Sequence, residues 1–119
     1  MFYKLLIFIF ISIYTFVLNA NEAMKLFENE DYDASFRLSY SKALTGDKQS
    51  EYIIGRILIE GMGTSKARKK EGLSFLKASA SKDYLKAIIF LADSYSNGGI
   101  LKVNQSKALQ YIKKAEKLG

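Results

Sequence analysis

The chain has 119 residues, 49% of them hydrophobic, and a formal net charge of +6. That length bounds it at one domain. It contains no Cys and no His, which removes the usual zinc ligands, the thiol and imidazole catalysts, and any disulfide that could stand in for a packed core.

Met1-Phe2-Tyr3-Lys4 is a short positive start, and Leu5 to Leu18 is an apolar run softened by Ser12, Tyr14 and Thr15 before Asn19-Ala20. This order of charge, apolar run and small residue predicts a secretory signal peptide over 1–20, cleaved after Ala20. The protein is then exported, periplasmic or secreted, with membrane contact only through this segment. An uncleaved N-terminal anchor is the alternative, although the run is shorter than the roughly 20 apolar residues that span a bilayer.

The remaining 21–119 reads as helical throughout. Pro is absent, and Gly clusters at expected helix ends. The first helix is expected over Asn21–Asn29, followed by a turn at Glu30-Asp31-Tyr32. Asp33 is placed to cap a second helix, whose buried face would carry Ala34, Leu38 and Ser41. A third, Lys48–Glu60, is apolar nearly all round through Tyr52, Ile53, Ile54, Ile57, Leu58 and Ile59, so it is expected between neighbours. The loop Gly61-Met62-Gly63-Thr64 leads to a fourth over Ala67–Ser81, burying Leu73, Leu76 and Ala80. Asp83 opens a fifth, broken at Asn97-Gly98-Gly99. The sixth, Gln105–Leu118, has a one-sided stripe of Ala108, Tyr111, Ile112 and Ala115. The expected fold is all-α: six helices in about three antiparallel pairs.

The chain also repeats itself. Ile54-Gly55, Gly61, Ser74-Phe75 and Lys77-Ala78 are answered 37 positions later by Leu91-Ala92, Gly98, Tyr111-Ile112 and Lys114-Ala115, while Gly63 and Gly99 lie one short of that offset. Such a period marks stacked helical units, each burying its apolar face on the next. Charge divides along the stack: residues 21–60 hold five basic and eight acidic side chains, and 61–119 hold twelve and four.

The ordered set Gly46, Gly55, Gly61, Gly63, Phe75, Lys77-Ala78, followed by Ala87, Leu91-Ala92, Tyr95, Gly98, Lys107-Ala108, Tyr111, Lys114-Ala115 and Gly119, resembles the Sel-one-like repeat, a relative of the tetratricopeptide repeat. The first copy departs from the pattern at Leu58 and Glu71, the second at Ala92 and Ile100-Leu101. The resemblance implies a right-handed α-solenoid with repeats at about 47–82 and 83–119 and a degenerate first unit at 22–46. It also implies a protein-protein interaction module: an envelope adaptor, or an immunity protein that blocks a secreted toxin. Some relatives that act on β-lactams are rich in disulfides, and the absence of Cys here separates this chain from them; no enzymatic activity and no cofactor is expected.

In such stacks the first helix of each pair lines the concave face. The resemblance therefore places a binding surface at Gln49, Tyr52, Arg56 and Glu60, and at their counterparts Lys86, Ile89, Asp93 and Asn97. Arg56 and Asp93 either pair with each other or meet a polar partner together. The acids Glu28, Glu30, Asp31 and Asp33 read as helix-end groups rather than metal ligands. Lys66 to Lys70 reads as a solvated helix start, and no nucleic acid is expected as partner. An exported cationic protein that holds anionic polymer or lipid is the alternative function. Leu109, Tyr111 and Leu118 predict an apolar strip at the C-terminal end, covered by a partner or by self-association through the last helix.

Overall fold

The computed structural model describes residues 2–119, with the backbone alone for 15–20. Every regular element among them is an α-helix: α1 (Phe2–Glu28), α2 (Tyr32–Leu44), α3 (Lys48–Glu60), α4 (Lys69–Ser81), α5 (Leu85–Asn97) and α6 (Gln105–Leu118). Each helix packs on the next, and α1 also reaches α3. The helix expected over Asn21–Asn29 is the last eight residues of α1, which begins at Phe2 and ends at Glu28. Its apolar side chains from Phe2 to Tyr14 are exposed, and among the described side chains the first in the core are Ala23 and Met24. Among the described residues no helix is long and apolar enough to cross a membrane.

The core follows from α3, where every residue from Ser50 to Ile59 except Arg56 is buried. Its apolar circumference needs neighbours on several sides, and α1, α2 and α4 supply them. The main layer joins Tyr52, Ile53, Ile57 and Ile59 to Leu76 and Ala80 of α4, Ala87, Ile88, Leu91 and Tyr95 of α5, and Ala108 of α6. A smaller cluster of Ala43, Ile54 and Leu58, with Phe36 and Phe75 against it, ties α2 to α3 and α4. The α3–α4 contact is close enough to require glycine on both sides. A Cβ on Gly72 would stand 2.5 Å from the Ile59 nitrogen, and one on Gly55 would stand 2.6 Å from Leu76 Cγ. Gly61 ends α3 in the left-handed region at φ 66°, which an L side chain adopts at a cost.

Several expectations need correction. Asp33 does not cap α2; Asp31 does, accepting the Ala34 N–H at 3.3 Å. Asp33 instead reaches the next loop, accepting the Thr64 N–H at 3.0 Å and its hydroxyl at 2.9 Å. The fully buried face of α2 is Ser35, Ser39 and Ala43; of the expected Ala34, Leu38 and Ser41, Leu38 packs half-buried against the core, Ala34 is half-buried and Ser41 is exposed. Small hydroxyls allow close approach there: Ser35 donates to the Ala23 carbonyl at 2.7 Å. Asp83 does not begin α5 but sits at φ 63° in the turn before it, and Tyr84 holds the N-cap position. The fourth helix starts at Lys69, two residues later than expected, because Arg68 donates its N–H back to the Leu58 carbonyl at 2.7 Å.

The internal offset also changes along the chain. From α3 to α5 it is 37 residues (48 to 85), but from α4 to α6 it is 36 (69 to 105). Gly63 and Gly99, the apparent exceptions, mark where the second loop is one residue shorter. Counted this way, Gly72 matches Ala108, Leu76 matches Ile112, and Ala80 matches Glu116. The first-copy member of each pair is buried; in the second copy only Ala108 is, while Ile112 and Glu116 are open.

Candidate functional site

Arg56 is the residue around which the candidate site is built. It lies on α3, one turn from Tyr52 on one side and Glu60 on the other, the spacing at which helix neighbours meet. Its Nε donates to Glu60 Oε2 at 2.8 Å and its Nη1 to the Tyr52 hydroxyl at 2.9 Å. The guanidinium lies 4.3 Å from the Phe90 ring centroid of α5 and 5.6 Å from that of Phe27 on α1. A cation held on ring faces in a half-buried setting is favourable, and arginine's flat, weakly hydrated head suits it better than lysine's. Burial disfavours its charge, but the bonds and charge of Glu60 and Tyr52 outweigh that and raise its pKa above the ordinary arginine value.

Aromatic rings continue from this centre into the core. Phe27 packs edge-on to Tyr32 at 5.5 Å and to Tyr52 at 6.1 Å, and Tyr52 meets Tyr84 at 5.4 Å. Burial, followed by the neighbouring Tyr52 and Asp47, pushes the Tyr84 phenol up to about 12, with Gln49 opposing through a hydrogen bond. On the α5 side, Lys86 extends to Glu28 at 3.3 Å and to the Met24 sulfur at 3.8 Å. Asp93 accepts from the Asn97 amide at 2.5 Å. Ile89, between them, leaves 53% of its surface in solvent.

These side chains line an open groove of about 460 Å³, made by Tyr52, Arg56, Lys86, Ile89, Phe90 and Asp93. The structure therefore brings together five of the eight residues named from sequence. Glu60 and Asn97 touch the groove through Arg56 and Asp93, and Gln49 lies instead beside Tyr84. Of the two arrangements open to Arg56 and Asp93, the cross-repeat pair does not form. Each bonds to the residue four positions on within its own helix, Arg56 to Glu60 and Asp93 to Asn97, so equivalent positions share a geometry with different chemistry.

Phe27 and Phe90 were missed by sequence reasoning. Their role depends on α1 and α5 converging on α3, which no local pattern encodes. The four N-terminal acids separate: Glu28 to Lys86, Asp31 to the cap, Asp33 to Thr64, and Glu30 in the turn at φ 65°. Among the described residues no group of three acids, His or Cys is placed to hold a metal. Of the Lys66–Lys70 stretch, Arg68 pairs with Glu71 at 3.4 Å at the start of α4. At the C-terminal end Leu109 and Leu118 are exposed, whereas Tyr111 stacks on Tyr95 at 6.1 Å.

The arrangement suits recognition. It offers an anchored cation, ring faces, an exposed aliphatic side chain and a carboxylate along one open groove. No protein-family model matches the chain, and no curated protein matches it in sequence.

Proposed function

We propose that this protein is a helical-repeat scaffold of the Sel-one-like kind that binds another protein along the groove between α3 and α5. The helices form a short solenoid of antiparallel pairs, and this groove is its concave side. The observation that carries the reading is Ile89. It stands 53% exposed where the first copy's counterpart, Tyr52, is buried, beside a guanidinium already held by Glu60 and aromatic rings. With exposed Ile112 facing it across the adjoining groove, Ile89 forms contiguous apolar surface beside fixed polar groups, the kind that marks interaction sites, and buried aromatic and Arg anchors are where interface energy concentrates.

The apolar segment 1–20 serves export. Residues 2–14 lie outside the core, and among the described side chains the first in it is Ala23, three positions after Ala20. Docking alone suffices for an adaptor, or for an inhibitor that covers a toxin.

The test is photo-crosslinking from the full chain in its native cells, with the reactive group at Ile89 or, for comparison, at Ser74, which lines a second groove beside Phe75. The expected result is one protein adduct from Ile89 that persists at high salt. Adducts from Ser74 alone would overturn the reading. Association with anionic polymer that vanishes as salt rises would favour the cationic alternative.

A further inference from the structure

The groove between α3 and α5 continues, through Ile89 and Asp93, into a second one. Ile89, Ala92 and Asp93 of α5 face Ile112, Ala115 and Glu116 of α6 across an open space of about 350 Å³. With the offsets of 37 and 36, these positions match Tyr52, Gly55, Arg56, Leu76, Ser79 and Ala80 in the first copy. There the same surface is covered. Tyr52, Leu76 and Ala80 are buried with Ala87, Ile88 and Leu91 of α5 in one cluster, the Tyr84 ring lies on Tyr52, and Phe90 lies on Arg56. The chain thus contains both forms of one surface: α3–α4 with a helix seated on it, and α5–α6 without one among the described residues.

Charge specifies the occupant. Residues 61–119 hold twelve basic and only four acidic side chains. Glu71 is paired with Arg68, and Asp83 with Lys114. The remaining two, Asp93 and Glu116, both line this groove, and among the described residues neither has a cation within ion-pair distance; the Asp93 carboxylate accepts only from the neutral Asn97 amide. Where the first copy presents Arg56 to a phenylalanine, the second presents a carboxylate at the same position. A helix seated here must therefore bring a donor or a cation where α5 brings a ring.

We infer that the α5–α6 groove receives an amphipathic helix of another protein, seated as α5 is seated on α3–α4, with apolar residues on Ile89 and Ile112 and Lys or Arg side chains on Asp93 and Glu116. This rests on the partner-binding reading and adds the partner's chemistry. It also runs against the protein's net charge, since a chain at +6 repels basic segments in general. Selectivity for one therefore reports these two carboxylates.

A phage-displayed library of 20-residue helical peptides, selected on the full chain, tests it. Enriched sequences should carry an aliphatic stripe at helical spacing with Lys or Arg beside it. Their affinity should fall about three- to tenfold in the Asp93→Asn/Glu116→Gln variant, as removal of two partly exposed ion pairs implies. Both sites are exposed, so circular dichroism of the variant should match the parent. Enrichment of acidic or uncharged sequences overturns the inference. So does binding that weakens with Ile89→Ala but ignores Asp93→Asn/Glu116→Gln, a result that leaves the partner groove standing. A concentration-dependent dimer that needs Asp93 and Glu116 would put a second copy in the groove and overturn the assignment to another protein. No enrichment, or binding indifferent to Ile89→Ala, removes both readings.

Discussion

Gly72→Ala isolates the packing argument because two effects of opposite sign meet at one atom. In an exposed helix interior, replacing Gly by Ala stabilises by about 1 kcal/mol. At Gly72 the added methyl would stand 2.5 Å from the Ile59 nitrogen, 2.8 Å from the Gly55 carbonyl oxygen and 2.9 Å from the Ile59 Cα. All three are backbone atoms of α3, so no side chain can rotate away, and α3 and α4 must separate. Overpacking of this kind costs about 1–3 kcal/mol, and a gap of up to an ångström forfeits about a quarter to a half of each dispersion contact around Leu76 and Ile59. The net expectation is destabilisation by about 2 kcal/mol, or a urea midpoint lower by about 1 M. Ser74→Ala, exposed on the same helix, supplies the propensity gain without the clash. The second copy carries Ala92 and Ala108 at the matching positions, so its helices cannot approach as closely. If Gly72→Ala proves as stable as Ser74→Ala, the reasoning about this contact fails.

Two serines one turn apart on α2 should respond oppositely. Ser35→Ala loses the bond to the Ala23 carbonyl and should destabilise by about 1 kcal/mol, whereas Ser39, whose buried hydroxyl has no partner among the described residues, should gain about 1 kcal/mol as Ala. Equal shifts in chemical denaturation would contradict the hydrogen-bond assignment. In an ultraviolet phenolate titration, one tyrosine should ionise near 12 and be missing from Tyr84→Phe. Because folding raises that pKa, the associated stability is intact below pH 10 and is lost as pH climbs towards about 12; Tyr84→Phe should flatten that decline. Asp33 moves the other way: the Thr64 N–H, then its hydroxyl, hold the carboxyl below its ordinary 3.8. The stability gap between parent and Asp33→Ala should be full above about pH 4 and close as acid titrates the carboxyl. A gap independent of pH would sink that account.

Much of the fold was legible because α3 and α5 are dense apolar runs, α6 carries a one-sided stripe, and glycines punctuate them. The α2 face was misread because its fully buried contacts are Ser35, Ser39 and Ala43, and the polarity of serine suggests solvent until the helix packed against it, and the Ala23 carbonyl that Ser35 reaches, are placed. Gly72 was invisible for a related reason: a glycine inside a helical pattern signals nothing until the helix opposite is placed. The repeat offset placed Tyr52 beside Ile89 and Arg56 beside Asp93 on one groove. It could not supply Phe27, Phe90 or the Glu28–Lys86 pair, which exist because α1 lies across α3 and meets α5. The mismatch between offsets of 37 and 36 was present in the glycines, but only the helix starts give it meaning.

The most direct test of the account is a methyl spectrum of the isoleucine-labelled full chain, titrated with the partner captured through Ile89. The account predicts that Ile89 shifts, with Ile112 beside it, while Ile54, in the cluster beneath Phe75, stays in place. A shift at Ile54 with Ile89 unmoved would place the partner on the other face and contradict the central claim.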